Sequence, residues 1–399
     1  QMTQHPPAYY ALGAGLLRVT GLADARWDQA MLALRLLDVA LFAATIPFAA
    51  AAALRLTGSR STALLAAPLP MLVPQVGHIL GSVNNDALVV LVCAVVTYLA
   101  ARAVTGDLRW RMAVGIGVVL GVGLLTKVMV AFAVPTVLAA YLLAPKAPWF
   151  TRISRGAVSM LVALVVGGWW WVRNVLTLGA VQPAGRPRDV SGLAQVPGDE
   201  ALSLSIGRVA QSFFGQLGWL EVRLDGDYVV LGSSVLAVAA LVALVLPGLR
   251  RAAVVLLLLP GALAAGVVYN ALDFHGETGV LVALQGRYLF GGLAALAVVL
   301  AVAVWQVLGR SERRTAVAVP VATAVAMVAG SAGLWWGVTT MYQGPGEDVG
   351  RAAERWLAWS PLVGWQLGVL LGTALLVAAA AVVAVVRWSV LVRTEENTA

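Results

Sequence analysis

Lys127 interrupts two apolar runs, Met112 to Thr126 and Val128 to Ala144. An ammonium at the edge of hydrocarbon costs on the order of 3 kcal/mol unless it snorkels or meets an anion. A phosphate at the membrane surface is such an anion. Arg287 lies in Gln285-Gly286-Arg287-Tyr288-Leu289-Phe290, where an apolar span begins. Its planar fork suits phosphate oxygens, and a helix N-terminus disfavours a cation alone while favouring an anion beside it. Lys127 and Arg287 are therefore candidate phosphate ligands.

Three more groups carry polar chemistry. In His5-Pro6-Pro7-Ala8-Tyr9-Tyr10 the paired prolines fix an extended entry and then permit a helix, setting His5 and both tyrosines at a rigid corner. An interfacial anchor is the plainer reading of that corner. Asn84-Asn85-Asp86 stands at the mouth of a span, with Asp86 suited to capping it and two asparagines more than a cap needs. Trp169-Trp170-Trp171-Val172-Arg173-Asn174 closes another span. Its tryptophans read as an interfacial belt, with Arg173 and Asn174 facing headgroups or a cavity.

The elements that must position these residues are membrane helices. Hydrophobic residues make up 60% of the 399 and charged ones only 12%, too little charge to cover a soluble surface. Apolar runs long enough to cross about 30 Å of hydrocarbon recur, without the alternation of a barrel. The fold expected is all-α, a single polytopic domain over 1–399. About eleven spans are expected, near 32–54, 61–80, 86–104, 111–126, 128–144, 155–176, 231–248, 251–270, 287–308, 315–337 and 362–386. Gly115, Gly117, Gly121 and Gly123 stud one of them, as close helix packing requires.

Charge sets the orientation. One set of loops and helix ends, from Arg55 and Arg60 to Arg387 and Arg393, holds fifteen basic residues against four acids. Twelve basic and fifteen acidic residues remain elsewhere, so the first set is cytoplasmic by the positive-inside rule. The net charge of +8 therefore sits in short loops, which argues against nucleic acid. Residues 1–31 fall outside the cytoplasm, which leads us to expect at least one further span upstream. The long loop of about 177–230 is extracytoplasmic; it is Pro/Gly-rich around Pro183, Gly185 and Pro187, then aromatic from Ser212 to Trp219, a segment expected along the membrane surface.

No nucleotide-binding Gly-rich loop, HExxH or Gly-x-Ser-x-Gly element occurs, arguing against ATP as the energy source. Three histidines (His5, His78, His275) and one cysteine, Cys93, make a metal site unexpected, and no cofactor is implied.

In order, His5-Pro6-Pro7-Ala8-Tyr9-Tyr10, Leu34-Arg35-Leu36-Leu37, Ser82-Val83-Asn84-Asn85-Asp86, Gly123-Leu124-Leu125-Thr126-Lys127, the Trp169–Asn174 run, Ser212-Phe213-Phe214-Gly215 and Gln285–Phe290 resemble an uncharacterised family of bacterial polytopic membrane proteins. That family is related to the protein O-mannosyltransferases and aminoarabinose transferases of the C-type glycosyltransferase superfamily, GT-C. The resemblance covers most of residues 5–308.

It implies transfer of a sugar from a polyprenyl phosphate to an extracytoplasmic glycan, lipid or protein acceptor, at the outer face of the bacterial cytoplasmic membrane. Lys127, Arg287 and His5 would hold the donor phosphate. Asn84, Asn85, Asp86, Tyr9, Tyr10, Arg173, Asn174 and Tyr288 would shape the substrate pocket. The family's usual catalytic acid lies just upstream of the segment resembling His5-Pro6-Pro7, so no catalytic residue is assigned; Asp24 and Asp28 follow that motif and do not match. Two rival readings stay open. One is a transporter or flippase, for which Asp38 paired with Arg35 at helical spacing is the best intramembrane acid. The other is a non-catalytic membrane protein of envelope assembly.

Overall fold

A computed structural model describes residues 5–181, 190–218, 220 and 222–395. Pro183, Gly185, Pro187 and Trp219 lie outside the described residues. The chain is a helical bundle; among the described residues the only strands are Gln216–Leu217 and Val222–Arg223, paired antiparallel. The all-α polytopic architecture expected from hydropathy is the one observed.

Among the described residues eight helices are long and apolar enough to span a membrane, which does not confirm the expected eleven: Trp27–Thr57, Asp86–Val104, Trp149–Leu178, Gly226–Val245, Arg250–Thr278, Gly286–Val307, Glu312–Tyr342 and Gly364–Val392. The apolar stretches on either side of Lys127 form shorter helices. The expected span 61–80 is broken into Arg60–Ala66, a 3-10 turn Leu69–Leu72 and Gln75–Leu80. Pro68, Pro70 and Pro74 explain the breaks, since each removes a backbone donor and its ring obstructs the preceding turn.

Asp86–Val104 and Gly286–Val307 are the most enclosed of the eight. Around the first, Val92, Cys93 and Val96 pack with Ile116, Leu120, Val130, Leu259 and Leu263. An alanine-rich layer, including Ala49, Ala52, Ala94, Ala295 and Ala301, lets the neighbouring helices approach.

Small residues also fix the helix that ends near Lys127. A Cβ on Gly117 would sit 2.6 Å from Val162 Cβ, and one on Gly121 2.5 Å from Val166 Cβ. Gly115, in contrast, faces open space. A π-turn at Leu164–Gly168 brings the Trp149–Leu178 helix close along this line.

The aromatic stretch after Ser212 departs from the expectation of a surface segment. Phe213 and Phe214 are buried, and Phe213 meets Phe290 edge-on at 5.7 Å. Gln75 holds the following strand by both amide atoms, donating to the Gln216 carbonyl and accepting from its N–H, each at 2.9 Å. A side chain thus supplies the pairing that a sheet neighbour would give.

Candidate functional site

Two helix breaks create the site. The Trp110–Leu124 helix ends as the Thr126 and Lys127 N–H groups both close on the Gly123 carbonyl (2.8 and 2.9 Å). Lys127 then turns extended (φ −164°, ψ 143°) before a 3-10 turn at Val128–Ala133. On the other side, the chain enters its span through the 3-10 turn Gly286–Gly292 rather than through a regular α-helical start. The Gly286 N–H donates to the Ser212 hydroxyl at 2.7 Å, and a Cβ at Gly286 would overlap the Phe213 backbone. This close approach fixes where Arg287 and Tyr288 project.

Asp86 joins the two breaks. Its Oδ1 takes the Lys127 ammonium at 2.5 Å, and its Oδ2 lies 3.9 Å from Arg287 Nε. The carboxylate is buried and the lysine nearly so, with 8% and 12% of their side chains exposed. Lys127 Nζ stands 4.9 Å from the centre of the Tyr288 ring, and the Arg287 guanidinium 5.4 Å. One ring thus lies near both cations, the geometry in which a π-face attracts positive charge. Arg287 Nε is buried without a hydrogen-bond partner among the described residues. One carboxylate therefore faces two cations and hydrogen-bonds only one of them.

His5, Lys127 and Tyr288 line a cavity of about 790 Å³. The rest of its wall includes Val128, Met129, Phe132, Trp171, Ala262, Gly266, Tyr269 and Asn270. Gly266 lets the Phe132 ring lie against its helix, since a Cβ there would overlap the ring. His5 has its imidazole pushed below the usual value by burial first and by Lys127 second, with Asp86 opposing. Arg287 lines a second, smaller cavity of about 230 Å³ together with Gln75, Ser212, Gln216 and Gln285.

The remaining expected residues fall into distinct places. Tyr9 is buried and donates its hydroxyl to Asp38 Oδ2 at 2.9 Å; burial and then Asp38 push that phenol above its usual range. Tyr10 is 43% exposed and meets Tyr9 edge-on. The Asn84 side chain accepts from the Asp86 N–H at 2.7 Å and donates to the Ile79 carbonyl at 2.7 Å, so it shapes the turn carrying Asp86. Asn85 stands at the N-cap position with no side-chain cap bond.

Arg173 and Asn174 do not line the cavity of Lys127. Arg173 lies 5.2 Å from the Trp170 ring, and buried Asn174 donates to the Val181 carbonyl at 3.2 Å. Trp171 is the member of that run that reaches the cavity. The Arg35–Asp38 pair expected from helical spacing is likewise absent among the described residues: Asp38 receives Tyr9 and the Asn84 N–H instead. Trp171 was read in the sequence only as part of an interfacial belt, and Phe132, Tyr269 and Asn270 were not singled out, although Tyr269-Asn270 is a polar pair closing an apolar run. Among the described residues no three His, Cys, Asp or Glu side chains gather to hold a metal ion.

The bundle shares its fold with a solved structure. The ArnT of Cupriavidus metallidurans, solved with undecaprenyl phosphate bound, superposes with a TM-score of 0.52 over 86% of this chain and 56% of its own, at 14% identity. The chain thus spans little more than half the length of that relative. An oligosaccharyltransferase of Archaeoglobus fulgidus, solved with zinc and sulfate, matches with a TM-score of 0.42 at 15% identity, over 86% of this chain and 47% of its own. Residues 4–171 match the family model described as dolichyl-phosphate-mannose-protein mannosyltransferase. The likeness to the family model is thus confined to the N-terminal portion of the chain, and the likeness to ArnT is one of fold. Comparison with curated proteins gives no match.

Proposed function

We propose that this protein moves a sugar from a polyprenyl-phosphate donor to an acceptor outside the cytoplasm. The observation that carries the reading is the pairing of an underneutralised cation pair with an apolar cavity. Lys127 and Arg287 share Asp86, and Lys127 opens onto a space walled by Val128, Met129, Phe132 and Ala262. A phosphate fits the charged end, and an isoprenoid chain fits the apolar walls. The ArnT complex with undecaprenyl phosphate supports this donor class.

In such a transfer the acceptor hydroxyl attacks the anomeric carbon as a base removes its proton. The bond between the anomeric carbon and the phosphate oxygen breaks, and its electron pair stays on that oxygen. The donor phosphodiester carries one negative charge and the departing polyprenyl phosphate gains a second. Fixed cations placed where that charge grows lower the barrier. Lys127 takes this role, with Arg287 offering a second donor and neutral His5 a hydrogen bond. The base is assigned to none of the described residues, because Asp86 is already engaged by Lys127.

The cluster lies at the bundle end opposite Arg102, Asp107, Arg109 and Arg155, in the loop set rich in basic residues. The positive-inside rule makes that opposite end cytoplasmic and the site extracytoplasmic. The test is binding of undecaprenyl phosphate and of undecaprenol to the purified full chain in nanodiscs, by native mass spectrometry. The wild type should prefer the phosphate strongly, and Lys127→Ala should abolish that preference. Equal binding of phosphate and alcohol by the wild type would overturn the reading.

A further inference from the structure

Residues 5–9 form a strap pinned at two points. The Ala8 N–H donates to the Leu125 carbonyl at 2.9 Å, and the Tyr9 hydroxyl donates to Asp38 Oδ2 at 2.9 Å. That same oxygen accepts the Asn84 N–H, also at 2.9 Å. Leu125 stands two residues before Lys127, and Asn84 two residues before Asp86. The pins therefore land beside both members of the ion pair, and the strap carries His5 to the cavity that Lys127 also lines.

Asp38 is wholly buried, and its Oδ1 has no hydrogen-bond partner among the described residues. For stability alone a buried carboxylate is a poor choice, because an apolar side chain of similar size would avoid the desolvation cost. Its distinctive capacity is to accept from two separate segments at one oxygen. We infer that Asp38 is a positioning residue: through Tyr9 and Asn84 it locks His5 and the Asn84–Asp86 turn in register with Lys127. This deepens the phosphate-site reading and rests on it only for the binding half of its test.

The test uses the full chain labelled with 15N-histidine. His5, His78 and His275 are the three signals, assigned by replacing His78 and His275 in turn. The charged groups that face His5 are Lys127 and Asp86. In the wild type His5 should titrate below the ordinary imidazole value, for the causes already given. Asp38→Ala and Tyr9→Phe should move its titration up towards about 6.5, since the strap no longer holds it in place. Asp38→Asn, whose amide oxygen can accept both bonds, should leave it where it was.

In parallel, undecaprenyl phosphate affinity should fall about tenfold in Asp38→Ala and Tyr9→Phe and stay within about twofold in Asp38→Asn. A His5 titration unmoved in both Asp38→Ala and Tyr9→Phe overturns the inference. Should Asp38→Ala fail to fold, Tyr9→Phe, which deletes one hydroxyl, decides alone. A wild type that shows the His5 shifts yet ignores the lipid sinks the phosphate reading and leaves the positioning role standing.

Discussion

Each end of the bundle holds one carboxylate between two cations, and the two arrangements differ in how completely they close. At one end Asp107 receives Arg102 at 2.5 and 3.1 Å and Arg109 at 2.8 and 2.9 Å, so both guanidiniums are hydrogen-bonded. At the other, Asp86 holds Lys127 at 2.5 Å but leaves Arg287 at 3.9 Å, its Nε without a hydrogen-bond partner among the described residues. The charge count is the same. The closed cluster serves the loop it ties together, whereas the open one retains capacity for another anion. The open one borders a cavity of about 790 Å³ walled in part by Val128, Met129 and Phe132.

Substitutions should separate the two ends, and Lys127→Ala should act most strongly. It removes the hydrogen-bonded cation and leaves Asp86 without its closest partner, so undecaprenyl phosphate affinity should drop about a hundredfold. Arg287→Lys should lose about tenfold, because a single ammonium cannot replace a planar fork. Isothermal binding at two salt concentrations checks both, with a shallower salt dependence in Lys127→Ala, which loses a charge, and an unchanged one in Arg287→Lys, which keeps it.

Asp86→Asn should act in the opposite direction. Without the competing carboxylate, the two cations should bind the phosphate severalfold more tightly, while thermal stability falls. Weaker binding in Asp86→Asn would mean that the carboxylate aims Lys127 rather than competing for it.

Asp107→Asn should be the mildest. It should lower Tm by only about 2 °C, as expected of a largely solvent-screened cluster, and leave lipid binding unchanged. The Asp107 carboxyl is held down at about 2, chiefly by the hydrogen bond from Arg109. A depressed carboxyl stabilises the fold fully above the ordinary carboxylate range and loses that contribution as pH falls towards its folded value. The wild-type Tm advantage over Asp107→Asn should therefore fade between about pH 4 and pH 2.

Membrane character was legible because hydropathy is a sum over many residues and tolerates local exceptions. The lengths of the spans were less so: Pro68, Pro70 and Pro74 break an apolar stretch that hydropathy alone reads as continuous, and the stretches beside Lys127 form shorter helices. Lys127 and Arg287 stood out as costly charges beside apolar runs, and the fold brings both to Asp86 and Tyr288. Asp38 was read from its own helix, which suggested Arg35. Its partners come from 29 and 46 residues away, where no periodicity points. Arg173 and Asn174 share a helix end with Trp171, yet the turn of the helix sends only the tryptophan to the cavity. Side-chain direction of this kind depends on packing that a single sequence does not display.

The most direct test of the shared-cation site is a cryo-electron microscopy structure of the full chain with undecaprenyl phosphate. The phosphate should lie within hydrogen-bonding reach of both Lys127 Nζ and the Arg287 guanidinium, with the isoprenoid along Val128, Met129 and Phe132. A phosphate bound away from both cations, with the lipid in the separate apolar cavity walled by Leu69, Val73, Phe214 and Val325, would contradict it.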